Sequence, residues 1–538
     1  MRTFLPIFST LLTSFFAQSC IFSREDSKDL HPNQLSGAVR IQFSGEPQSL
    51  DPTLTEDGIT LRLLAPLMSG LYRYDGNGAL LPALAQSHSC NPSFTECRVD
   101  VRSDLKWSDG KPLQPQDFLT ALERATDPAQ GSRIVGMLST VRGVSERLRP
   151  RSKEASIPPL GVRVDGTSLV FQFTIPQPEF RHLLTLPVTY PLREDALRDR
   201  GHWDYLRDIT LPTIGSYRVV DRRRDQWLTY QKNTLAPKGA PEYLVFRMIA
   251  DEVTGARLFE KGEIDILSRV SDYEVKRYAQ AGLLQVNPLP AVIFLGFRLD
   301  HPVFSRVENR RAVSAAISRM ELQRLVSVKK GGWEGDRATL GWIPPGIEGS
   351  FQLNELEGRG WKAELEKFLK VGALGKDSIS LRFEQSARNT LLMEKIQADL
   401  KTHLKAAVSL DSSDWKTLMR DLRGDLPPLF RFGWIAAYRD PTAMLTPFRS
   451  EDSYNFLKLK DPKLDGWILQ IQGMSPSAER RNLLERIQRY LVVEQAYVVP
   501  LLHSSVIHVV SKNIGGFSVL PTGAIAVDEL RKLPQSHP

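Results

Sequence analysis

The sequence predicts a mixed α/β fold with more than one lobe. Segments with apolar residues at alternate positions are interspersed with segments whose apolar residues recur every three or four positions, irregularly and without an internal repeat. The length, 538 residues, calls for two to four domains at ~100–200 residues each, and 41% hydrophobic content supports buried cores. After the first twenty residues no stretch is apolar and uncharged for the ~20 residues needed to span a bilayer as a helix.

The elements follow in order. Residues 1–19 read as an export signal: Arg2 is a short positive n-region, and Phe4 to Ala17 is an apolar run suited to an h-region. A small residue, Ser19, immediately before a lone cysteine resembles a bacterial lipoprotein signal, in which Cys20 becomes the lipidated N-terminus. Ala17 stands where such signals usually carry Leu, so plain cleavage is the competing reading. Residues 20–36 are polar and read as a tether. Val39 to Phe43 alternates as a strand, and Ile59 to Met68 reads as a helix stopped at Ser69-Gly70. Leu71 to Tyr74 turns at Asp75-Gly76-Asn77-Gly78, and Arg98 to Val101 runs toward a turn at Trp107 to Gly110. Pro115 opens a helix to about Thr126 with Phe118, Leu119 and Leu122 on one stripe. From Asn309 to Leu325, Ala312, Val313, Ala316, Ile317 and Met320 repeat at helical spacing, and from Ser477 to Glu494 so do Leu483, Leu484, Ile487, Tyr490 and Leu491.

Composition narrows the chemistry. Removing residues 1–19, which hold Arg2 and no acid, lowers the net charge from +8 to +7, spread thinly along the chain. The densest run, Arg222-Arg223-Arg224, is bracketed by Asp221 and Asp225, so no nucleic-acid partner is expected. Cys90 and Cys97 flank an Asn91-Pro92-Ser93 turn between strands, and an exported compartment permits the disulfide expected there. No second pair of metal ligands lies at suitable spacing, and His503 and His508 fall on opposite faces of a strand, so neither metal nor cofactor is expected. Phosphate-binding loops, dinucleotide fingerprints, zinc-protease helices and nucleophile elbows are all missing, and carboxylate pairs such as Asp204 with Asp208 or Glu263 with Asp265 read as charged faces. A non-enzyme is expected. The stretch from Gly433 to Pro441 pairs two aromatics with small residues before an Asp-Pro turn. Such a composition suits either a packed strand end or a backbone that approaches a ligand.

Several blocks decide between these two readings. The segment Gly45-Glu46-Pro47-Gln48-Ser49-Leu50-Asp51-Pro52 resembles the opening motif of the oligopeptide-binding proteins of ABC importers, the bacterial extracellular solute-binding proteins of family 5. Gly70 to Tyr74, Leu81 to Ala85, Leu105 to Pro112, Gly215-Ser216-Tyr217 (with Ser216 in place of the usual proline), Phe259 to Asp265 and Asn309 to Arg319 follow in that family's order, and the likeness runs from about residue 38 to 520.

The resemblance implies a two-lobed type II periplasmic binding protein with an extra domain in the N-terminal lobe. Lobe I would combine 37–75, 205–290 and 505–538, with 76–204 as its extra domain, and lobe II would be 291–504. Crossings are expected near Val292-Ile293-Phe294 and Val499-Pro500-Leu501. It implies a monomer outside the cytoplasm that closes on a peptide and presents it to an ABC permease, held to the membrane by its lipid. Contacts would come from Glu46, Pro47, Gln48 and Ser49 and from Gly433, Trp434, Ile435, Ala436, Ala437 and Tyr438. Ala437 departs from the family, whose peptide binders carry an aspartate there for the peptide's α-ammonium. Three readings stay open besides a one-residue shift of register. Asp440 or Glu46 meets the ammonium; the cargo, a modified or cell-wall peptide, has no free α-amine; or the cargo is a metal chelate or haem.

Overall fold

Two long strands join the halves of the molecule, and two prolines decide where their pairing lapses. The computed structural model describes residues 31–534 apart from 56, 150–155, 327–328, 331–332, 373 and 376. The export signal and Cys20 lie outside the described residues. One sheet takes eleven strands: β1 (Ala38–Phe43), β2 (Tyr217–Arg223), β3 (Trp227–Lys232), β4 (Tyr243–Met248), β5 (Ile266–Leu267), β6 (Leu284–Phe297), β7 (Arg337–Ala338), β8 (Ile379–Glu384), β9 (Val408–Ser413), β10 (Leu429–Ile435) and β11 (Val498–Val510). Their order across the sheet is β9-β8-β10-β6-β11-β5-β1-β4-β3-β2, with β7 pairing beside β11.

The antiparallel register of β6 and β11 lapses between Pro288 and Val292, facing Ser505 and His503, and shifts again between Ile293 and Phe294. Pro288 and Pro290 have no amide hydrogen to give, which breaks the ladder at this place. On one side of the lapse β11 continues through β5 to β1; on the other, β6 is paired by β10 from Ala291 to Phe297. The lapse sits a few residues from the crossings expected at Val292–Phe294 and Val499–Leu501. Strand β1 is buried at nearly every position because it lies inside the sheet, in parallel with β4 and covered on both faces. A separate antiparallel sheet carries Ala85–Cys90, Glu96–Val101, Ser168–Gln172 and Val162–Asp165 in that spatial order. Across its first hairpin Cys90 faces Cys97, and their sulfurs are 2.04 Å apart.

The helices show where local pattern and tertiary context part. Helix α1 (Gly58–Leu64) starts on Asp57, whose carboxylate accepts from the amides of Ile59 and Thr60 at 2.8 Å. It stops short of the expected Met68 because Pro66 has no amide to continue the ladder. Helix α2 (Pro115–Ala125) forms where Pro115 opens it, burying Phe118 and Leu122. The helix expected over 309–325 is two, α3 (Val307–Ala316) and α4 (Arg319–Val326), broken at extended Ile317. The break turns Arg319 inward, where its Nε donates to the Pro500 carbonyl at 2.8 Å, and leaves Met320 45% exposed instead of in the core. Helix α5 (Trp415–Arg423) and the short α6 (Pro441–Leu445) follow, then α7 (Ala478–Arg489), which continues as a wider turn over Tyr490–Glu494 and buries the expected apolar stripe.

Two charged-face expectations fail. Asp204 is buried and accepts from Ser49 Oγ at 3.0 Å, and Asp265 is buried against Arg40 and Lys532. The end of the expected tether is docked too: Pro32 is buried, and its carbonyl accepts from Arg40 Nε at 3.0 Å.

Candidate ligand-binding site

Strand β10 has a full partner on one side only. Antiparallel β6 accompanies it to Ile435, while parallel β8 pairs with it only at Leu429 and Phe430. From Arg431 onward no strand among the described residues pairs its second edge, so backbone donors and acceptors there are left for something else. A Cβ built on Gly433 would meet only the Val292 carbonyl, at 3.9 Å; on the neighbouring strand one at Gly296 would strike the Phe430 ring at 2.2 Å. The space over Gly433 is therefore cavity.

That cavity holds 1730 Å³, well above the ~300–1,000 Å³ of pockets for drug-sized ligands. Glu46, Pro47, Gln48 and Ser49 line it from one side, and Gly433, Trp434, Ile435, Ala436 and Ala437 from the other. Trp434 is held in place by its indole N–H, which donates to the Ala443 carbonyl at 2.9 Å, and by its ring against Tyr454. Tyr438 and Asp440, expected on the cavity, are not among its lining residues. Tyr438 is buried with its hydroxyl 3.0 Å from Thr442 Oγ1. Asp440 caps α6 by accepting from the Thr442 amide at 2.9 Å, and it is paired with buried Arg480 at 2.8 Å. The Asp-Pro turn thus makes a helix start, with the carboxylate turned into the protein.

The other proposed partner for an ammonium is also engaged. The Glu46 carboxylate takes Arg222 Nε at 2.6 Å and Nη2 at 3.0 Å, a two-point pair with Glu46 almost fully buried. Neither Asp440 nor Glu46 is available to replace an acid at Ala437. Sequence reading also missed lining residues that carry no local motif. Glu384 lies at the end of β8, its charge felt by half-buried Arg431. Trp415, 45% exposed, stacks on Phe432 with ring centres 5.7 Å apart, and Lys416 and Met419 extend that face of α5. Arg62 of α1 and the stretch around Leu520 and Ile525 complete the opposite side.

Arg439 ties the two sides together. Its amide donates to the Tyr74 hydroxyl at 2.7 Å, its Nε to the Gly346 carbonyl at 2.7 Å and its Nη1 to the Gly78 carbonyl at 2.8 Å. A Cβ on Gly78, already at φ +77°, would lie 2.1 Å from Nη1, so only glycine admits the guanidinium. Burial raises the Tyr74 phenol far above its ordinary range, keeping it a neutral hydroxyl for this contact.

The family model described as "Bacterial extracellular solute-binding proteins, family 5 Middle" matches residues 79–456. The chain belongs to this family. It is therefore a solute-binding protein of the ABC-importer class. The probable deoxycholate-binding periplasmic protein YgiS of Escherichia coli K12 is 26% identical over 512 residues, 91% of each chain. The periplasmic oligopeptide-binding protein OppA of the same strain is 26% identical over 498 residues, 88% of each. The solved murein tripeptide binding protein MppA of Escherichia coli superposes with a TM-score of 0.80 at 19% identity, covering 93% of this chain and 99% of that one. The fold is the two-lobed type II periplasmic binding protein with its extra domain, as the sequence blocks implied.

Proposed function

We propose that the cavity captures oligopeptides between two lobes and that the closed protein delivers them to an ABC permease while anchored through lipid on Cys20. The unpaired edge of β10 along the cavity carries this reading, because a peptide added there gains backbone hydrogen bonds with little demand on its sequence. The lobes meet at the lapse in β6 and β11: lobe I takes 37–75, 205–290 and 505–538, its extra domain 76–204, and lobe II 291–504. Two strands crossing at a broken ladder suit a hinge, and Arg439 is placed to favour the closed form. OppA of Escherichia coli, an oligopeptide-binding protein, supports the peptide reading.

The test is mass spectrometry of cargo released by denaturing protein purified from its native membrane, with peptide titrations followed by melting temperature. Bound peptides and a peptide-dependent rise are expected. Absence of both overturns the peptide assignment. A second reading, a non-peptide cargo, is favoured by Ala437, by the engagement of Glu46 and Asp440, and by the exposed Trp415 face; YgiS, named for deoxycholate, is in keeping with it. A metal or haem absorption in the purified protein would point to a chelate instead. Radiolabelled palmitate incorporation that vanishes in Cys20→Ala tests the anchor.

A further inference from the structure

We propose that Arg62 anchors an anionic group of the cargo, in the simplest case a carboxylate, and so selects which cargo is retained. The proposal rests on reading the cavity as the cargo site.

Arg62 projects from α1 and lines the cavity. Its Nε is buried with no hydrogen-bond partner, and its two terminal nitrogens, which are not sealed in the same way, have no protein partner among the described residues either. Other arginines near the cavity are matched: Arg222 with Glu46, Arg73 with Asp528, Arg102 with Asp104. The carboxylate that Arg62 feels is Asp57, but both oxygens of Asp57 are taken by the start of α1, Oδ1 by the Ile59 and Thr60 amides and Oδ2 by Thr60 Oγ1, each at 2.8 Å. The second titratable group coupled to Arg62 is His508, which is buried and neutral, its pKa pushed down to about 3 by burial and then by the arginine's charge. Asp528, also on the cavity, has an unpartnered Oδ1, but that atom is sealed from it.

The surroundings hold the guanidinium by shape. A Cβ on Gly523, at φ +79°, would sit 3.0 Å from Nη2 and 3.5 Å from Leu289 Cδ2. Burial lowers the pKa of Arg62, an effect Asp57 partly offsets, so the cation is held with its Nε sealed from solvent and without a protein acceptor among the described residues. A carboxylate arriving from the cavity would supply charge-assisted, two-point hydrogen bonds. A site built around such a partly desolvated donor binds an analogue that lacks the acceptor less tightly. A peptide C-terminus and a non-peptide amphipathic acid share this chemistry.

The experiment uses four probes on the full mature chain: N-acetyl-Ala-Phe-Ala-Leu-Ala with a free C-terminal carboxylate, its C-terminal amide, deoxycholate and its methyl ester. Each is titrated calorimetrically into wild type, Arg62→Gln and Arg62→Lys, with folding checked by melting temperature. In wild type one acid should bind about tenfold or more tighter than its neutral partner. The preference should fall to about threefold or less in Arg62→Gln and be intermediate in Arg62→Lys. Whichever pair shows the preference identifies the source of the carboxylate. An acid preference unchanged in folded Arg62→Gln, or none in wild type despite binding, overturns the assignment. Gly433→Trp, which sets an indole over the open edge of β10, separates the two levels: weaker binding of every probe with the acid preference kept is expected, whereas wild-type affinity in that variant, or no binding of any probe to wild type, would overturn the reading of the cavity and the role of Arg62 with it.

Discussion

In the wall made by Glu46–Ser49, side chains are drawn into the protein's own polar contacts: Glu46 to Arg222 and Ser49 to Asp204. In the facing wall, Gly433–Ala437, the aromatic Trp434 packs inward and the backbone edge is what remains for cargo. The comparison teaches that an acid near a cavity is not an acid available to it. Glu46 lines the space and Asp440 lies three residues past Ala437, yet each is committed to an arginine.

The strongest way to break this comparison is Asp440→Ala. It leaves Arg480 buried with Glu348 alone and removes the cap of α6. A loss of ~3–5 kcal/mol in urea denaturation is expected, with cargo affinity of the folded protein almost unchanged. Glu46→Gln should cost less, ~2 kcal/mol, because Arg222 is partly exposed. Normal stability with lost binding of free-amine peptides would make either carboxylate the ammonium partner and end the contrast.

Acid is the next lever, and it acts on both halves of β11. Burial holds His503 and His508 neutral, each with a pKa of about 3, against ~6.5 in an unfolded chain. The unfolded chain takes the proton first, so their stabilisation is complete above ~6.5 and is lost as pH falls toward about 3, by ~1.4 kcal/mol per pH unit for each. Asp452 works the other way: burial lifts its pKa to about 6, so it gains stability as pH falls from there toward ~3.9. A net loss of ~2–4 kcal/mol between pH 7 and 5 is expected. Melting temperatures of wild type and a His503→Gln, His508→Gln double variant across that range check it; equal slopes would refute it.

Ala437→Asp sharpens the comparison by adding the acid the facing wall cannot supply. Affinity for peptides with free N-termini should rise about tenfold, ~1.4 kcal/mol, by calorimetry, and unchanged affinity would mean that another group, Glu384 foremost, already meets the ammonium. The smallest effect is expected from Arg439→Ala, which removes the tie to Gly78 and Gly346 without touching either wall. Cargo should dissociate about fivefold faster in stopped-flow measurements; an unaltered rate would show that the tie does not hold the cleft shut.

The sequence by itself determined the family, the alternating strands and amphipathic stripes, and the two segments on which the cavity is built, because these depend on local pattern and on the order of short blocks. Even so, Pro66 shortened one helix, since proline overrides periodicity, and the extended backbone at Ile317 split another and turned Arg319 inward. Tertiary structure alone decided which charges are free. Arg222 meets Glu46 across 176 residues and Arg480 meets Asp440 across 40, while among the described residues no carboxylate takes a hydrogen bond from Arg62. Pairing energy depends on distance and burial, and neither is a property of sequence spacing.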